Sequence, residues 1–567
     1  MKMTLEQARG VPAAYGMVNM RLLLWSLVLI ALCSGAGAAQ ESPVFTHGDT
    51  LRGSIGPARA WWDATFYDLH VRVSPGDSTI VGWNAITYRV LAPGNEMQID
   101  LQPPLEVDSM VQAGARLRYR RDGNAFFVTL PSEQRGGESR TVTVYYSGRP
   151  VVAERPPWDG GFIWREDGRG NPWVATANQG LGASVWWPNK DHGSEEPDSQ
   201  RIAITVPTPM VNVSNGRLRS TTVNDDGTTT FEWFVTEPIN NSGISVNAGT
   251  YAHWQEIYPG EAGPLTMDYW PLAENEADAR RQWTQARSMM QCFENWFGPY
   301  PFYADGFKLV EAPHLGMEHQ SAVAYGNGYQ NGYLGTDRSG TGHGLKWDFI
   351  IIHEAAHEWF ANNITAKDEA DMWIHESFAN YSENLYTECL TGSKEAGAEY
   401  VVGTRTGIRN DRPVQGQFGV NYPGSGDMYP KGGNLLHTIR QLVDDDDKWR
   451  GILRGLNKTF WHQTVTGAQA EAFISRESGI DLTEMFDQYL RTTMVPVLEY
   501  RLEGSELSYR WTNIVPGFDM PVRVDLGSGA FTWVQPKGAW QTVETTLESA
   551  AAFAVDPSFY VEAREVG

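Results

Sequence analysis

Short runs in which apolar and polar residues alternate fill residues 66–251. Residues 68–73 read Asp-Leu-His-Val-Arg-Val and residues 140–146 read Arg-Thr-Val-Thr-Val-Tyr-Tyr, and clusters of Gly, Pro and Asp separate such runs. A period of two places successive side chains on opposite faces of a strand. The pattern therefore predicts an N-terminal antiparallel β domain.

A helical spacing of apolar residues follows this region. Positions three and four apart lie on one face of a helix, so such a stripe predicts a helix buried on one side. Gly298-Pro299 then ends the stripe, since neither residue favours continuation of a helix. The stripe consists of Trp283, Ala286, Met290, Phe293 and Phe297.

The remaining pattern predicts a strand over residues 307–311 and then a loop through residues 314–320. Helical patterns dominate residues 345–494, and strand-like alternation returns over residues 502–562. A chain of 567 residues is too long for one hydrophobic core, so several domains are expected. We predict a multidomain α+β protein. Its parts are residues 1–39 as a signal peptide, 40–256 as the N-terminal β domain, 257–497 as an α-rich catalytic domain and 498–567 as a small C-terminal β domain.

The first 39 residues are typical of an export signal. Arg21 precedes an apolar run over residues 22–32, and small residues follow at positions 36–38. We expect the mature chain to begin near Ala39 and the protein to be periplasmic or secreted. The run is shorter than the roughly 20 residues that a membrane span needs, and no later segment comes near that length, so no transmembrane segment is predicted.

Two points about this region stay open. Synthesis could start at Met1 or at Met20. Anchoring as a lipoprotein through Cys33 is the less favoured alternative, because Leu32 stands where a small residue is expected.

Charge and cysteine content narrow the function. The chain has 45 Lys and Arg against 68 Asp and Glu, a formal net charge of −23, which makes nucleic acid an unfavourable partner. Removal of the signal leaves Cys292 and Cys389, which could pair in an oxidising compartment or remain buried thiols. No cysteine-rich metal spacing exists, so a bound metal would need His and carboxylate ligands.

Residues 351–360 read Ile-Ile-His-Glu-Ala-Ala-His-Glu-Trp-Phe and contain the His-Glu-x-x-His pattern. Positions four apart share one helix face, so His353 and His357 can reach one zinc ion. Glu354 lies beside the metal rather than on it and is free to act as a base. A catalytic zinc needs a third protein ligand, and Glu376, 19 residues after His357 in a second helical pattern, supplies it.

With these residues the chain resembles the aminopeptidase N family, which includes leukotriene hydrolase and belongs to the gluzincin clan. The family's amine-binding motif, usually Gly-x-Met-Glu-Asn, is similar to residues 315–319, Leu-Gly-Met-Glu-His. Its Tyr-x-Lys-Gly motif is similar to residues 429–432, and its Gln-containing β-domain loop to residues 179–191. The resemblance spans about residues 67–497. The chain departs from the usual motifs at Leu315, His319, His375 and Ser377.

The resemblance implies a thermolysin-like catalytic domain with one Zn²⁺ per chain. It further implies that Tyr429 stabilises the tetrahedral oxyanion and that Glu318 pairs with the free α-ammonium of the substrate. The other substrate-binding residues that it implies are Gln179, Gly316 and Met317.

The predicted function is that of an exported zinc aminopeptidase. Glu354 would act as general base on a water that attacks the scissile carbonyl. The expected partners are peptides with a free N-terminus, and the oligomeric state is left open. The alternatives are a gluzincin endopeptidase, an epoxide hydrolase, or a catalytically silent relative that only binds peptides.

Overall fold

The computed structural model describes residues 43–567. The predicted signal peptide and the anchoring through Cys33 lie outside the described residues. No helix within residues 43–567 combines the length and apolar character that crossing a bilayer requires.

The alternating N-terminal pattern forms a sheet that has eight strands in the described chain. Its strands are antiparallel neighbours except Trp62–Ser74 and Ser199–Pro207, which run parallel with Leu69 opposite Ile202. A parallel pair needs a long crossover, and the chain between these two strands supplies it. In spatial order the strands are Arg217–Val223, Thr228–Val235, Ser199–Pro207, Trp62–Ser74, Thr79–Val90, Ser139–Gly148, Glu106–Gln112 and Ala115–Arg116.

Two smaller sheets complete this β region, and side chains of all three sheets share one hydrophobic cluster. One sheet has the order Gly94–Asp100, Ala125–Gln134 and Arg118–Asp122. The other has the order Val211–Val213, Asn247–Gly249, Pro172–Ala177 and Gly161–Glu166.

A mixed sheet then carries the segment that faces the candidate site. The strand Phe307–Glu311 is confirmed; all its residues are buried and it lies inside the sheet. Where the sequence predicts only a loop, Gly316–Met317 forms a short edge strand antiparallel to Val323–Tyr325. The order is Trp254–Gly260, Gly263–Trp270, Phe307–Glu311, Val323–Tyr325 and Gly316–Met317.

Helices dominate the region after this sheet. The predicted helix is confirmed as Gln285–Phe297, and Gly298 ends it with a positive φ of 97° that an L side chain rarely adopts. The helices are His47–Gly53, Pro57–Ala60, Glu276–Gln282, Gln285–Phe297, Phe349–Ala356, Trp373–Thr391, Lys394–Gly403, Pro430–Val443, Asp446–Thr459, Gly467–Ser478 and Thr483–Arg491. A strand pair, Ile364–Ala366 and Gln463–Val465, interrupts them.

A disulfide joins Cys292 to Cys389 and decides between the two states that the sequence left open. It links the helix Gln285–Phe297 to the C-terminal end of the helix Trp373–Thr391. The second of these helices carries Glu376 near its other end.

The C-terminal strands pack onto the helical region. Leu498, Trp511 and Phe559 belong to the same hydrophobic cluster as Leu453 and Phe486 of the helices. One sheet has the order Gln541–Glu544, Glu506–Thr512, Val497–Glu503 and Glu562–Glu565; the other has the order Phe531–Val534, Val522–Asp525 and Ala554–Val555. The predicted α+β class is confirmed, whereas the boundaries between domains stay predictions.

Candidate functional site

The helix Phe349–Ala356 presents the first two chemical groups of the site. Asp348 caps its N-terminus, where the Oδ1 atom accepts a hydrogen bond from Ile350 N at 3.1 Å. His353 and Glu354 lie in its last turn, and His357 keeps a helical φ of −63° and ψ of −17° just after its end. The i,i+4 arrangement of the two histidines is therefore kept, although the α-helix itself ends at Ala356.

The helical conformation ends abruptly after His357. Residues Glu358–Asn363 form a wide turn in which Ala361 has a φ of 152°, a conformation that costs free energy in a residue other than glycine. This turn places the carbonyl oxygen of Phe360 at 3.0 Å from His357 Nδ1. A carbonyl can only accept, so Nδ1 donates and Nε2 is left as the free ring nitrogen.

His353 is oriented in the same way by a carboxylate. Its Nδ1 atom donates to Glu383 Oε1 at 2.9 Å. The other oxygen of Glu383 accepts a hydrogen bond from Tyr400 at 2.7 Å, and Asn380 donates to Oε1 at 3.2 Å. Partners of this kind fix the tautomer of a metal-ligating histidine and raise its basicity. The sequence could not distinguish this role of Glu383 from that of a solvated acid, and it gave no signal for Tyr400.

The two free imidazole nitrogens converge on Glu376, in the first turn of the helix Trp373–Thr391. Glu376 Oε2 lies 3.6 Å from His353 Nε2 and 3.5 Å from His357 Nε2, and all three residues are buried. Ligands held tetrahedrally at the usual zinc distances stand roughly 3.3 Å apart, so the observed separations suit that geometry. Glu376 Oε2 has no hydrogen-bond partner among the described residues, and a buried carboxylate oxygen without a partner is costly. The donor set therefore fits a zinc ion.

Glu354 faces the same centre from beside the ligands. Within residues 43–567, a second trio of donor atoms, from Glu318, Glu354 and His357, also lies within 4.8 Å of one another. Burial raises the pKa of Glu354 to about 7, the charge of His353 lowers it and that of Glu318 raises it. A carboxylate with a pKa near neutrality is suited to accept and return a proton.

Gly316 fits because it has no side chain. A Cβ atom there would lie 2.8 Å from Glu354 Oε1 and 2.8 Å from Ile350 Cγ2. The edge strand Gly316–Met317 consequently runs directly along the helix that carries the base. Its outer edge leaves backbone groups that an extended peptide can pair with.

Glu318 follows this strand at one end of the centre. Its carbonyl oxygen accepts a hydrogen bond from Asn362 Nδ2 at 2.9 Å, and Asn362 N donates to His357 O at 2.9 Å. Burial raises the pKa of Glu318, while His357 lowers it and Glu376 raises it. This carboxylate has no salt-bridge partner in the described chain, so its negative charge is available for a cation.

Gln179 enters the site from the β region. Its loop is fastened by Asp191, whose Oδ2 accepts from Ser184 Oγ at 2.6 Å and from Ser184 N at 3.2 Å. The side-chain amide of Gln179 contacts the sulfur of Met372 at 3.9 Å and does not bond to Glu318 directly. The spacing between Gln179 and Asp191 in the sequence thus reflects a turn that presents the glutamine to the cleft.

Tyr429 closes the other side, immediately before the helix Pro430–Val443. Its ring stacks on His353 at a centroid distance of 5.9 Å. Burial raises the pKa of Tyr429 well above its ordinary value, and the charge of Glu376 adds to that shift. The phenol therefore keeps its proton and can donate a hydrogen bond.

The residues that depart from the family motifs do not displace these groups. His375 Nε2 accepts from Ala366 N at 2.8 Å, and Ser377 Oγ donates to Met428 O at 2.8 Å. His319 is buried, and it lines a cavity of about 50 Å³ together with Glu318 and His375. Such a cavity has room for a few water molecules, which would satisfy the ring nitrogens.

The predicted site residues all line one cleft with a volume of about 820 Å³. Its wall joins the loop of the β region, the edge strand, the two helices of the metal ligands and the start of the helix Pro430–Val443. These residues are Gln179, Gly316, Met317, Glu318, His353, Glu354, His357, Glu376 and Tyr429.

Comparisons with known sequences agree with this geometry. Residues 282–489 match the family model described as Peptidase family M1 domain. Probable aminopeptidase 1 of Sulfurisphaera tokodaii is 24% identical over 243 residues, which cover 40% of this chain and 30% of that protein. Aminopeptidase N of Lactococcus lactis subsp. lactis is 28% identical over 219 residues, covering 35% of this chain and 26% of that protein. The matched stretch thus spans less than a third of the length of these relatives.

Solved structures match over more of the chain. An M1 zinc metallopeptidase from Deinococcus radiodurans superposes with a TM-score of 0.66 at 21% identity, covering 77% of this chain and 96% of the other. A mutant of that protein bound to a Tyr-Ser-Ala substrate gives a TM-score of 0.65, covering 79% and 98%. The fold is therefore that of the M1 metallopeptidases, and the predicted resemblance to the aminopeptidase N family is confirmed.

Proposed function

We propose, from the premise that residues 282–489 form a peptidase family M1 domain, that this protein is a zinc aminopeptidase that removes residues from the N-terminus of peptides. The observation that carries the proposal is the convergence of His353, His357 and Glu376, whose ligand atoms lie within 4.8 Å of one another. Glu354 lines the same cleft, and so does Glu318, whose carboxylate is suited to bind an ammonium group.

Two imidazole nitrogens and one carboxylate oxygen would hold one zinc per chain. When bound, zinc supplies a Lewis acid that polarises water and the scissile carbonyl. Glu354 takes a proton from the attacking water and returns it to the leaving amine. Glu354 is held against Gly316 and lines the same cleft as the metal ligands, which places its carboxylate beside the reacting water.

Tyr429 acts on the carbonyl oxygen of that bond. Negative charge develops on this oxygen during attack, and a preorganised donor stabilises it more strongly than it stabilises the ground state. Because burial keeps the phenol protonated, Tyr429 can donate that hydrogen bond.

Selection of the N-terminus depends on Glu318. A peptide's α-ammonium paired with this carboxylate places the first peptide bond, and no other, at the metal. Gln179 and the edge strand Gly316–Met317 position the first residue beside it. An internal bond brings no positive charge to this place and would leave the buried carboxylate unpaired, which disfavours endopeptidase activity.

Export is part of the proposal. The N-terminal pattern from Arg21 to residue 38 supports it, and so does the disulfide between Cys292 and Cys389, since such bonds persist in oxidising compartments. We place the mature protein in the periplasm or outside the cell.

The experiment is a paired assay on the purified mature chain. We expect about one zinc per chain by elemental analysis and hydrolysis of aminoacyl-arylamides. We also expect cleavage of a peptide with a free N-terminus and no cleavage of that peptide once its N-terminus is acetylated. Cleavage of the acetylated peptide would indicate an endopeptidase instead. Zinc-free protein that binds peptides without cutting them would indicate a silent binding relative.

A further inference from the structure

The N-terminal helix His47–Gly53 packs on the helical region that carries the metal ligands, although it lies outside the part of the chain that resembles the family. The backbone oxygen of Asp49 accepts a hydrogen bond from Asn421 N at 3.1 Å. A Cβ atom on Gly53 would lie 2.1 Å from the carbonyl carbon of Val420, so only glycine permits this close approach of the two backbones. The helix is therefore held against the loop that contains Asn421.

Arg52 of this helix joins that loop to the loop of Gln179. Its Nη1 atom donates to Gly180 O at 3.0 Å and to Asn421 Oδ1 at 2.6 Å, and its Nη2 atom donates to Gln179 O at 3.3 Å. A guanidinium is planar and its donors point in fixed directions. One side chain thus fixes two successive carbonyl groups of the Gln179 loop relative to the Asn421 loop.

Two carboxylates hold the guanidinium of Arg52 in place. Its Nε atom lies 3.7 Å from Asp191 Oδ2, and its Nη2 atom lies 3.7 Å from Glu369 Oε1. Burial raises the pKa of Glu369, and the charge of Arg52 opposes that shift. Only 15% of the Arg52 side chain is exposed, so solvent and salt screen these charges less than they would at the surface.

The Asn421 loop is itself tied to the helix of a metal ligand. Gly416 N donates to Ala370 O at 2.9 Å, and Ala370 lies in the short helix just before Trp373–Thr391, which carries Glu376. The backbone of Gln179 is therefore connected to the metal centre through Arg52 and this loop.

The amine end of the cleft adjoins Arg52 directly. Arg52, Gln179 and Glu318 line the same cavity of about 50 Å³. The amide nitrogen of Gln179 contacts the sulfur of Met372, which leaves the amide oxygen as the atom that can accept from an ammonium group. A guanidinium has only donors and a positive charge, so Arg52 cannot bind an ammonium group itself. Its effect on the amine must pass through Gln179.

We propose that Arg52 is a positioning residue of the amine site, which holds Gln179 where its amide oxygen and the carboxylate of Glu318 receive the α-ammonium together. The proposal rests on the proposed function, because that function places the ammonium at Glu318. The N-terminal helix then belongs to the substrate site, although none of its residues touches the substrate.

The test measures kcat and KM for aminoacyl-arylamides in Arg52→Met, which keeps an unbranched side chain and removes every donor. We expect KM to rise about tenfold, the effect of weakened amine binding, while kcat stays within about twofold of the parent. Zinc content should be unchanged, since His353, His357 and Glu376 are intact. Arg89→Met, at an exposed arginine of the β region that pairs with Asp63, is the matched control and should keep the parental KM.

A double-mutant cycle shows whether Arg52 acts through Gln179. In a Gln179→Ala background, we expect Arg52→Met to raise KM by less than about twofold, because the group that Arg52 positions is already absent. Asn421→Ala is an independent variant that leaves Arg52 in place and removes one of its anchors. It should raise KM about threefold, and it carries the test if Arg52→Met does not fold.

Three results would overturn the proposal. An unchanged KM in Arg52→Met or Asn421→Ala would mean that the amine site does not depend on this contact. A fall in kcat together with loss of zinc would mean that Arg52 only maintains the fold. Additive effects of Arg52→Met and Gln179→Ala would mean that Arg52 does not act through Gln179. Absence of arylamide hydrolysis by the parent would instead be a failure of the aminopeptidase function itself, so the two failures are distinguishable.

Discussion

At the scale of single residues, Glu354 has the role that is easiest to isolate. Replacement by glutamine preserves its size and its packing against Gly316 but removes the proton acceptor. For Glu354→Gln we expect kcat to fall by about 10²- to 10⁴-fold with the zinc content unchanged. Elemental analysis and arylamide kinetics on the same preparation check this. Near-parental turnover would mean that another group takes the proton.

Glu318 is the residue that should separate an aminopeptidase from an endopeptidase. For Glu318→Ala we expect kcat/KM on aminoacyl-arylamides to fall by about 10- to 100-fold, because the α-ammonium loses a charge-assisted partner. Zinc content should stay near one per chain, since His353, His357 and Glu376 are intact. Glu506→Ala, at an exposed acid of the C-terminal sheet, is the control and should keep the parental rate. Unchanged kinetics in Glu318→Ala would refute its assignment.

At the scale of elements, the site depends on how closely the helix Pro430–Val443 approaches the helix Trp373–Thr391. A Cβ atom on Gly432 would lie 1.9 Å from Ser377 Oγ, and one on Gly433 would lie 2.2 Å from Asn380 Oδ1. The two glycines therefore permit a contact that brings Tyr429, at the start of one helix, to Glu376, in the other. Gly432, the glycine of the Tyr-x-Lys-Gly motif, is thus required by the packing of the two helices, in addition to being part of the family's motif.

Gly432→Ala should consequently cost about 1–3 kcal/mol of stability through overpacking. Ser377→Gly removes the atoms in conflict, so the double variant should recover most of the loss. Thermal unfolding of the parent and the three variants measures this coupling. Gly451→Ala, in the helix Asp446–Thr459 with open space around its Cβ position, is the control and should not lower the melting temperature.

The disulfide acts on the same helix from its other end. It closes a loop with a sequence separation of 97 residues between the helices Gln285–Phe297 and Trp373–Thr391. We expect Cys292→Ala/Cys389→Ala to lose about 2–5 kcal/mol of stability. The parent should show the same drop in melting temperature when reduced, whereas the double variant should not respond to reductant. A melting temperature of the parent that is indifferent to reductant would argue against a structural role.

At the scale of the whole molecule, the features predicted correctly from the sequence are those that depend on local spacing along the chain. The i,i+4 histidines and the apolar stripe ending at Gly298 depend only on neighbours along the chain, and the sequence placed them correctly. The break at Ala361 and the edge strand Gly316–Met317 depend on contacts with distant segments, and the sequence pattern did not indicate them. Those contacts decide which ring nitrogen faces the metal and which backbone faces the substrate.

The C-terminal strands show the same dependence on long-range packing. Their apolar residues are in one cluster with the catalytic helices, and Tyr489 Oη donates to Tyr560 O at 2.6 Å. Tyr560 N also donates to Thr438 Oγ1 at 3.2 Å, on the helix that begins beside Tyr429. Removal of these strands would expose a hydrophobic surface. It would also leave Tyr489 and Thr438 without their hydrogen bonds to Tyr560.

We therefore expect a chain that ends at Pro496 to be poorly soluble or to melt well below the parent, and to lose zinc and arylamide hydrolysis together. The parent should unfold without a separate transition for the C-terminal strands, because elements that share one hydrophobic core unfold cooperatively. Calorimetry on the mature chain, with zinc analysis of the truncated one, measures both expectations. Retention of the parental melting temperature and zinc content by the truncated chain would mean that the catalytic helices are stable without the strands that cover them.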